Sequence, residues 1–202
     1  MFNGIIYNQG KIKAIKKSKR YVTGSAVIEI QSNVKFKKKD IGESVSCDGV
    51  CLTLIRIKKN SFLFYLSKET LKRSNFKYAK INKSINIEKS LLYGDKISGH
   101  YVQGHVDTTA KVEKVSIIEK SWVIRLKLKD IKLYKCLIDK ASITVNGVSL
   151  TISKVLKNSF EVSVIPHTLK LTNLKNLTKN SVVNIELDIF SKYYLKLNKW
   201  KK

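Results

Sequence analysis

The chain has little arginine, few cysteines and no long apolar run. Without a stretch of about eighteen apolar residues, no membrane span is expected. The opening residues, Met1-Phe2-Asn3-Gly4-Ile5-Ile6, lack the charged start and apolar block of a signal peptide. Cys47, Cys51 and Cys136 are an odd set in a chain of 202 residues, which is too large to need staples. Reduced thiols and a cytoplasmic location are the simplest reading. Cys47 and Cys51 flank a turn, but two thiols without a histidine cluster do not make a zinc site of the usual spacing, and no metal is expected. Arg20, Arg56, Arg73 and Arg125 are the arginines, and lysine supplies the rest of the 40 basic residues. A net charge of +25 raises nucleic-acid binding as a question. Arginine is the preferred reader of base edges and phosphates. The lysines are spread along both halves, apart from Lys16-Lys17-Ser18-Lys19-Arg20 and Lys37-Lys38-Lys39. Such a diffuse pattern reads as a lysine-biased solvent face, and no nucleic-acid partner is expected.

What is present begins with one phrase. Ile143-Thr144-Val145-Asn146-Gly147-Val148-Ser149-Leu150-Thr151-Ile152 places Asn-Gly between two alternating runs, the strongest short hairpin signal. Val45-Ser46-Cys47-Asp48-Gly49-Val50-Cys51-Leu52-Thr53-Leu54 repeats it with Asp-Gly, and the two turn glycines stand 98 positions apart. The offset persists. Lys59-Asn60-Ser61-Phe62 returns as Lys157-Asn158-Ser159-Phe160, Asn75 as Asn173, and Ile85-Asn86-Ile87-Glu88 as Val183-Asn184-Ile185-Glu186. A register kept over this span marks an internal duplication, and the period is far too long for a solenoid unit.

Hydrophobic residues at 43% suffice for a core. Strands are predicted over 1–15, with a turn or bulge at its glycines, and over 22–30, 62–66, 85–91, 110–115, 122–128, 160–165 and 182–187, besides the two hairpins. A crossover is predicted over 68–76 and a short helix over 133–138. Many short strands with regular punctuation argue a barrel or sandwich. The expected fold is all-β: two similar six-stranded antiparallel Greek-key barrels, residues 1–98 and 99–188, with a C-terminal helix at 189–202. In the tail, Ile189, Phe190, Tyr193, Tyr194, Leu197 and Trp200 recur at helical spacing, with Ser191, Lys192, Lys196, Lys199 and Lys201 on or near the wet side. If Val50, Leu52 and Leu54 fill one barrel, Cys51 and Thr53 point outward, as do Ser149 and Thr151 in the other. A small barrel is filled by its own side chains, so a site belongs on its flank and closes only when another barrel covers it.

The sequence resembles the alpha-chain type of riboflavin synthase over nearly its whole length. The resemblance rests on ordered phrases: Met1-Phe2-Asn3-Gly4-Ile5; Ser44-Val45 with Asp48-Gly49-Val50-Cys51-Leu52-Thr53; Lys68-Glu69-Thr70-Leu71; Gly99-His100 with Gly104-His105-Val106; Asn146-Gly147-Val148-Ser149-Leu150-Thr151; Ile165-Pro166-His167-Thr168-Leu169; and Asn184-Ile185-Glu186 with Asp188. It implies the last step of riboflavin synthesis. Two molecules of 6,7-dimethyl-8-ribityllumazine exchange a four-carbon unit, giving riboflavin and 5-amino-6-ribitylaminouracil without a cofactor. It also implies a homotrimer whose pocket lies between the N-terminal barrel of one subunit and the C-terminal barrel of the next, and raises association with lumazine synthase. Ser44, Cys51, His105, Ser149, Thr151 and Asp188 are the implied catalytic set. The N-terminal pocket would draw on Gly4, Ile5, Ile6, Cys51, Leu52, Thr53, Tyr65, Leu66, Ser67, Lys68, Glu69, Thr70, Gly104, His105 and Val106. The C-terminal pocket would draw on Lys140, Ser149, Leu150, Thr151, Ser163, Val164, Ile165, Pro166, His167 and Thr168. His100 reads as a packed structural histidine. Asn3 stands where Thr is common, and Val50 where a second Cys is frequent. The alternatives are a non-catalytic lumazine or flavin carrier of the same fold and, more weakly, a polyanion-binding barrel.

Overall fold

The computed structural model describes residues 1–17 and 24–198. Ser18, Lys19 and Arg20 of the first basic cluster, Val22 of the second expected strand, and Lys199, Trp200 and Lys201 of the tail lie outside the described residues. The first barrel has strands β1 Asn8–Lys17, β2 Ala26–Ser32, β3 Ser44–Cys47, β4 Val50–Lys58, β5 Ser61–Leu66 and β6 Ser84–Lys89, with helix α1, Lys68–Arg73, after β5. The second has β7 Thr108–Ile118, β8 Ser121–Leu128, β9 Ser142–Val145, β10 Val148–Val155, β11 Phe160–Val164 and β12 Val182–Leu187, with α2, Pro166–Leu171, after β11. Helix α3, Ile189–Asn198, follows.

Hydrogen-bonded neighbours run β1-β2-β5-β4-β3-β6 and back to β1, and the second barrel closes in the same cyclic order. Closure leaves no strand edge open to pairing. Even the irregularities repeat. Bulges interrupt β1 between Ile12 and Ala14 and β7 between Val112 and Lys114. A second matched pair interrupts β4 between Leu54 and Arg56 and β10 between Ile152 and Lys154. Bulges bend and twist a strand locally, which a small closed barrel requires.

The alternation works as predicted. Val50, Leu52 and Leu54 are buried in the first core while Thr53 is exposed and Cys51 half-buried. Cys47 also faces inward, so it and Cys51 lie on opposite faces of the barrel wall. The predicted strand over 1–15 is shorter than its alternation suggests, because residues 1–7 form a leader that leaves the barrel. Phe2 in this leader is fully buried and pairs with Val102 in the corresponding leader of the second repeat. Ile6 belongs to the core of the second barrel, and Val106 packs against the core of the first. The leaders are therefore exchanged between barrels, and the repeat boundary near residue 98 does not separate two packed bodies. The short helix expected over 133–138 is a 3-10 helix, Ile131–Cys136.

The two hairpin turns meet between the barrels. Asp48-Gly49 and Asn146-Gly147 all have positive φ, the geometry of a type I′ turn. A Cβ on Gly49 would sit 2.6 Å from the backbone nitrogen of Gly147, so this contact admits no side chain. Around it lies a buried amide network that obeys the repeat. Asn86 N donates to Asp48 Oδ1 and Asn184 N to Asn146 Oδ1, each at 2.8 Å. Asn173 N donates to Asn86 Oδ1 at 2.8 Å, and Asn75 N to Asn184 Oδ1 at 2.6 Å. Buried polar groups need partners, and here each barrel supplies them to the other. One position breaks the match: Asp48 stands where the other repeat has Asn146. Burial pushes the Asp48 carboxyl above the ordinary range, and its Oδ2 has no hydrogen bond, Lys83 Nζ lying 3.7 Å away.

Helix α3 departs from expectation on its polar side. Lys192 faces inward, its Nζ 3.1 Å from Asp107, and Leu195 packs on the second core. The aromatic stripe faces outward instead: Phe190, Tyr193, Tyr194 and Leu197 are each more than 60% exposed.

Candidate active site

Each barrel carries a row of small polar groups on its outer wall because strand residues alternate and paired residues share a face. In the first barrel Ser44 pairs with Thr53 and Ser46 with Cys51. In the second, Ser142 pairs with Thr151 and Thr144 with Ser149. A cleft of about 350 Å³ opens at Cys51 of the first row, lined also by Val50, Glu69, Thr70, Gly104, His105 and Asp107 among others. A cleft of about 470 Å³ opens over the second, lined by Gly99, Lys140, Ser142, Ser149, Thr151 and Ser163 among others.

The exchanged leaders build the walls. Cys51 N donates to Gly104 O at 2.7 Å, and Ser149 N donates to Gly4 O at 2.8 Å. Ser67 caps α1 beside the first cleft, accepting from Thr70 N at 3.0 Å, while its hydroxyl lies 2.9 Å from that of Thr70. The matching helix α2 starts instead with Pro166 in its first turn and Ile165 before it, with no side-chain cap.

The clefts differ most at one ring. His100 Nδ1 lies 2.7 Å from Ser149 Oγ, and its Nε2 lies 3.1 Å from Thr144 Oγ1. Burial pushes this imidazole below its ordinary value, against the pull of Asp188, so the neutral ring prevails at neutral pH. A neutral imidazole has one donor and one acceptor, which suits two hydroxyls. In the first cleft the matching pair is Cys51 and Ser46, and Ser46 Oγ is buried without a hydrogen bond.

A family profile for the lumazine binding domain matches residues 3–90 and again 103–188. The riboflavin synthase of Actinobacillus pleuropneumoniae is 37% identical over 193 residues, covering 96% of this chain and 87% of that protein. That of Bacillus subtilis is 36% identical over 195 residues, with coverage of 96% and 87%. This chain belongs to the riboflavin synthase family. Among solved structures, LumP complexed with riboflavin superposes with a TM-score of 0.79 at 24% identity, covering 93% of this chain and 99% of that one. At this identity the likeness establishes the fold.

For a riboflavin synthase chain, the geometry sorts the expected residues. Cys51, Glu69, Thr70, Gly104, His105 and Val106 come together at the first cleft, and Lys140, Ser149, Leu150, Thr151 and Ser163 at the second. Ser44 and Thr53 share the outer row of the first barrel. Tyr65 and Ser67 are half-buried and Lys68 is exposed. Leu52, Leu66 and Val164 are interior residues, because their strand parity points them into the cores, so only their backbone is open to a ligand. Ile165, Pro166, His167 and Thr168 open α2, with Ile165, Pro166 and His167 exposed. Asp188 precedes α3 and accepts from Phe190 N at 2.8 Å, so it caps that helix while standing near His100. Gly4, Ile5 and Ile6 require a correction. They were expected at the N-terminal pocket, but the leader crosses over, and Gly4 and Ile6 lie on the C-terminal barrel. His100, expected as a packed structural histidine, is half-buried and lies between two strand hydroxyls. Its link to Ser149 spans half the second repeat and leaves no local pattern.

Proposed function

We propose that this riboflavin synthase chain takes one molecule of 6,7-dimethyl-8-ribityllumazine at each kind of cleft and transfers a four-carbon unit between them. Riboflavin and 5-amino-6-ribitylaminouracil are the products. The observation that carries this reading is the repeated lumazine-binding domain, with one cleft at Cys51 and another at its repeat counterpart Ser149, lined by different residues. Two like compounds then meet unlike surroundings, as a donor and an acceptor must. Holding them together converts an encounter of two large ligands into a local step.

Within one subunit the clefts open over separate barrels. The reading therefore includes a homotrimer in which the first cleft of one subunit faces the second cleft of its neighbour. The outward aromatic stripe of α3 supports it, since a short helix buries such a stripe against something. Ser44, Cys51 and His105 serve the first cleft and Ser149, Thr151 and Lys140 the second, with Asp188 acting from the start of α3. His105 is exposed and free to turn toward a ligand. The three free thiols fit a cytoplasmic setting, where lumazine synthase is a candidate partner.

The test is turnover. Purified chain incubated with the lumazine and a chelator should produce riboflavin fluorescence, with two lumazines consumed per riboflavin. Tight binding of the lumazine without product would identify a carrier instead.

A further inference from the structure

Two carboxylates outside the expected set occupy the same place in the repeat. Glu88 on β6 and Glu186 on β12 sit beside Ser46 and Thr144 on the outer walls. Each is buried and each receives two consecutive backbone amides from the leader of its own repeat. Asn3 N donates to Glu88 Oε1 at 2.8 Å, and Gly4 N lies 3.1 Å from Oε2. Gln103 N donates to Glu186 Oε1 at 2.8 Å, and Gly104 N to Oε2 at 2.9 Å. From these anchors the leaders cross. The carbonyl of Gly4 then meets Ser149 N, and that of Gly104 meets Cys51 N. At both glycines a Cβ would fall 2.7 Å from the Cβ of the strand residue opposite, so the leader is held at the closest approach a chain can make.

We infer that Glu88 and Glu186 are positioning residues that act crosswise: Glu88 of the N-terminal barrel sets the Ser149 cleft, and Glu186 of the C-terminal barrel sets the Cys51 cleft. The chain of contacts is short, carboxylate to glycine amide, glycine carbonyl to strand amide. A carboxylate suits the anchor because it accepts on both oxygens. Burial pushes Glu88 up to about 7 and raises Glu186 as well, against the amides that favour their charged forms. Both acids are thus kept at a cost, in two copies, where a neutral acceptor would be easier to bury.

This inference rests on the riboflavin synthase reading, and double-mutant cycles test it separately. Glu88→Gln and Glu186→Gln keep shape but turn an NH2 group toward one of the amides. Each is combined with Ser149→Ala and with Cys51→Ala. kcat/KM for the lumazine and the affinity for riboflavin are measured, with thermal melts to confirm folding. In the crossed pairs, Glu88 with Ser149 and Glu186 with Cys51, the combined loss should fall short of the product of the single losses by about fivefold or more. The same-barrel pairs should multiply to within about twofold. A merely structural carboxylate would weaken both clefts alike and show no such pairing. Coupling within a barrel, or equal coupling to both clefts, overturns the inference. If Glu88→Gln or Glu186→Gln fails to fold, Gly4→Ala and Gly104→Ala press on the same two strand residues and must give the same crossed pattern. A wild-type chain without turnover would end the functional reading alone, and the riboflavin affinity cycle would then decide this one.

Discussion

The Cys51 cleft and the Ser149 cleft share a wall, a leader, a carboxylate anchor and a pair of bulges, yet they differ in what stands on the polar row. Over the second barrel, His100 bridges Ser149 and Thr144. Over the first, Cys51 and Ser46 occupy the same positions and Ser46 Oγ has no hydrogen bond. The difference lies only in parts that duplication does not constrain: the strands must alternate and close, but the outward side chains need only avoid clashes. Divergence at constant scaffold is how one fold offers a symmetric pair of substrates two chemical environments.

The comparison breaks most completely if the clefts are kept from each other. Deleting residues 190–202 removes the aromatic stripe together with the packing of Leu195, the Lys192–Asp107 pair and the edge contact of Phe190 with Tyr101. The barrels should stay folded by circular dichroism while light scattering reports monomers. Turnover should fall by about a hundredfold or more, since juxtaposition of the two ligands is lost. A truncated chain that remains trimeric, or a fully active monomer, would remove the tail from this role.

A finer cut makes the clefts alike. His100→Gln removes the ring from Ser149 and Thr144 and should lower kcat about tenfold, with a changed pH profile. Unchanged kcat in His100→Gln would show that the ring is packing only.

The smallest expected effect concerns the junction. Asp48→Asn makes the two turns identical in kind. The native carboxyl has a raised pKa, so the folded state binds a proton more readily than the unfolded one. Its contribution therefore weakens as pH rises from the usual value of 3.8 through the raised one. The substitution should stabilise the fold by about 1 kcal/mol at pH above the raised value, because a desolvated carboxylate whose Oδ2 has only Lys83 at 3.7 Å disappears. It should also flatten part of the decline in stability with pH, Glu88 and Glu186 supplying the remainder with the same sign. Thermal melts at about pH 4 and about pH 8 would reveal it, and a destabilised variant would mean that Lys83 compensates the charge.

The barrels were legible in the chain because alternation and Asn-Gly or Asp-Gly turns are local signals, and the duplication supplied each twice. Val50, Leu52 and Leu54 turned inward as parity requires, and the rows bearing Cys51 and Ser149 turned outward. The leader was not legible. Gly4-Ile5-Ile6 continues into an alternating run, and nothing nearby says that Ile6 will plug the opposite barrel. Lys192 misled for a related reason: helical spacing assigns a charge to the wet side, but Asp107, 85 positions earlier, draws it inward. The anchors were not legible either. Glu88 and Glu186 stand at outward positions of Ile85-Asn86-Ile87-Glu88 and Val183-Asn184-Ile185-Glu186, where alternation predicts an exposed acid, and their burial under the leaders leaves no local pattern.

The exchange of leaders has a consequence for ancestry. Each repeat carries a barrel together with the segment that completes the other barrel, through Ile6 in one direction and Val106 in the other. A single-barrel precursor with such a segment would leave its own core unplugged and fill that of a second copy, which is domain swapping. Joining two copies end to end preserves the swap while freeing each to accumulate its own substitutions. The contact of Gly49 with Gly147, turn against turn, lies where the dyad of such a dimer would pass.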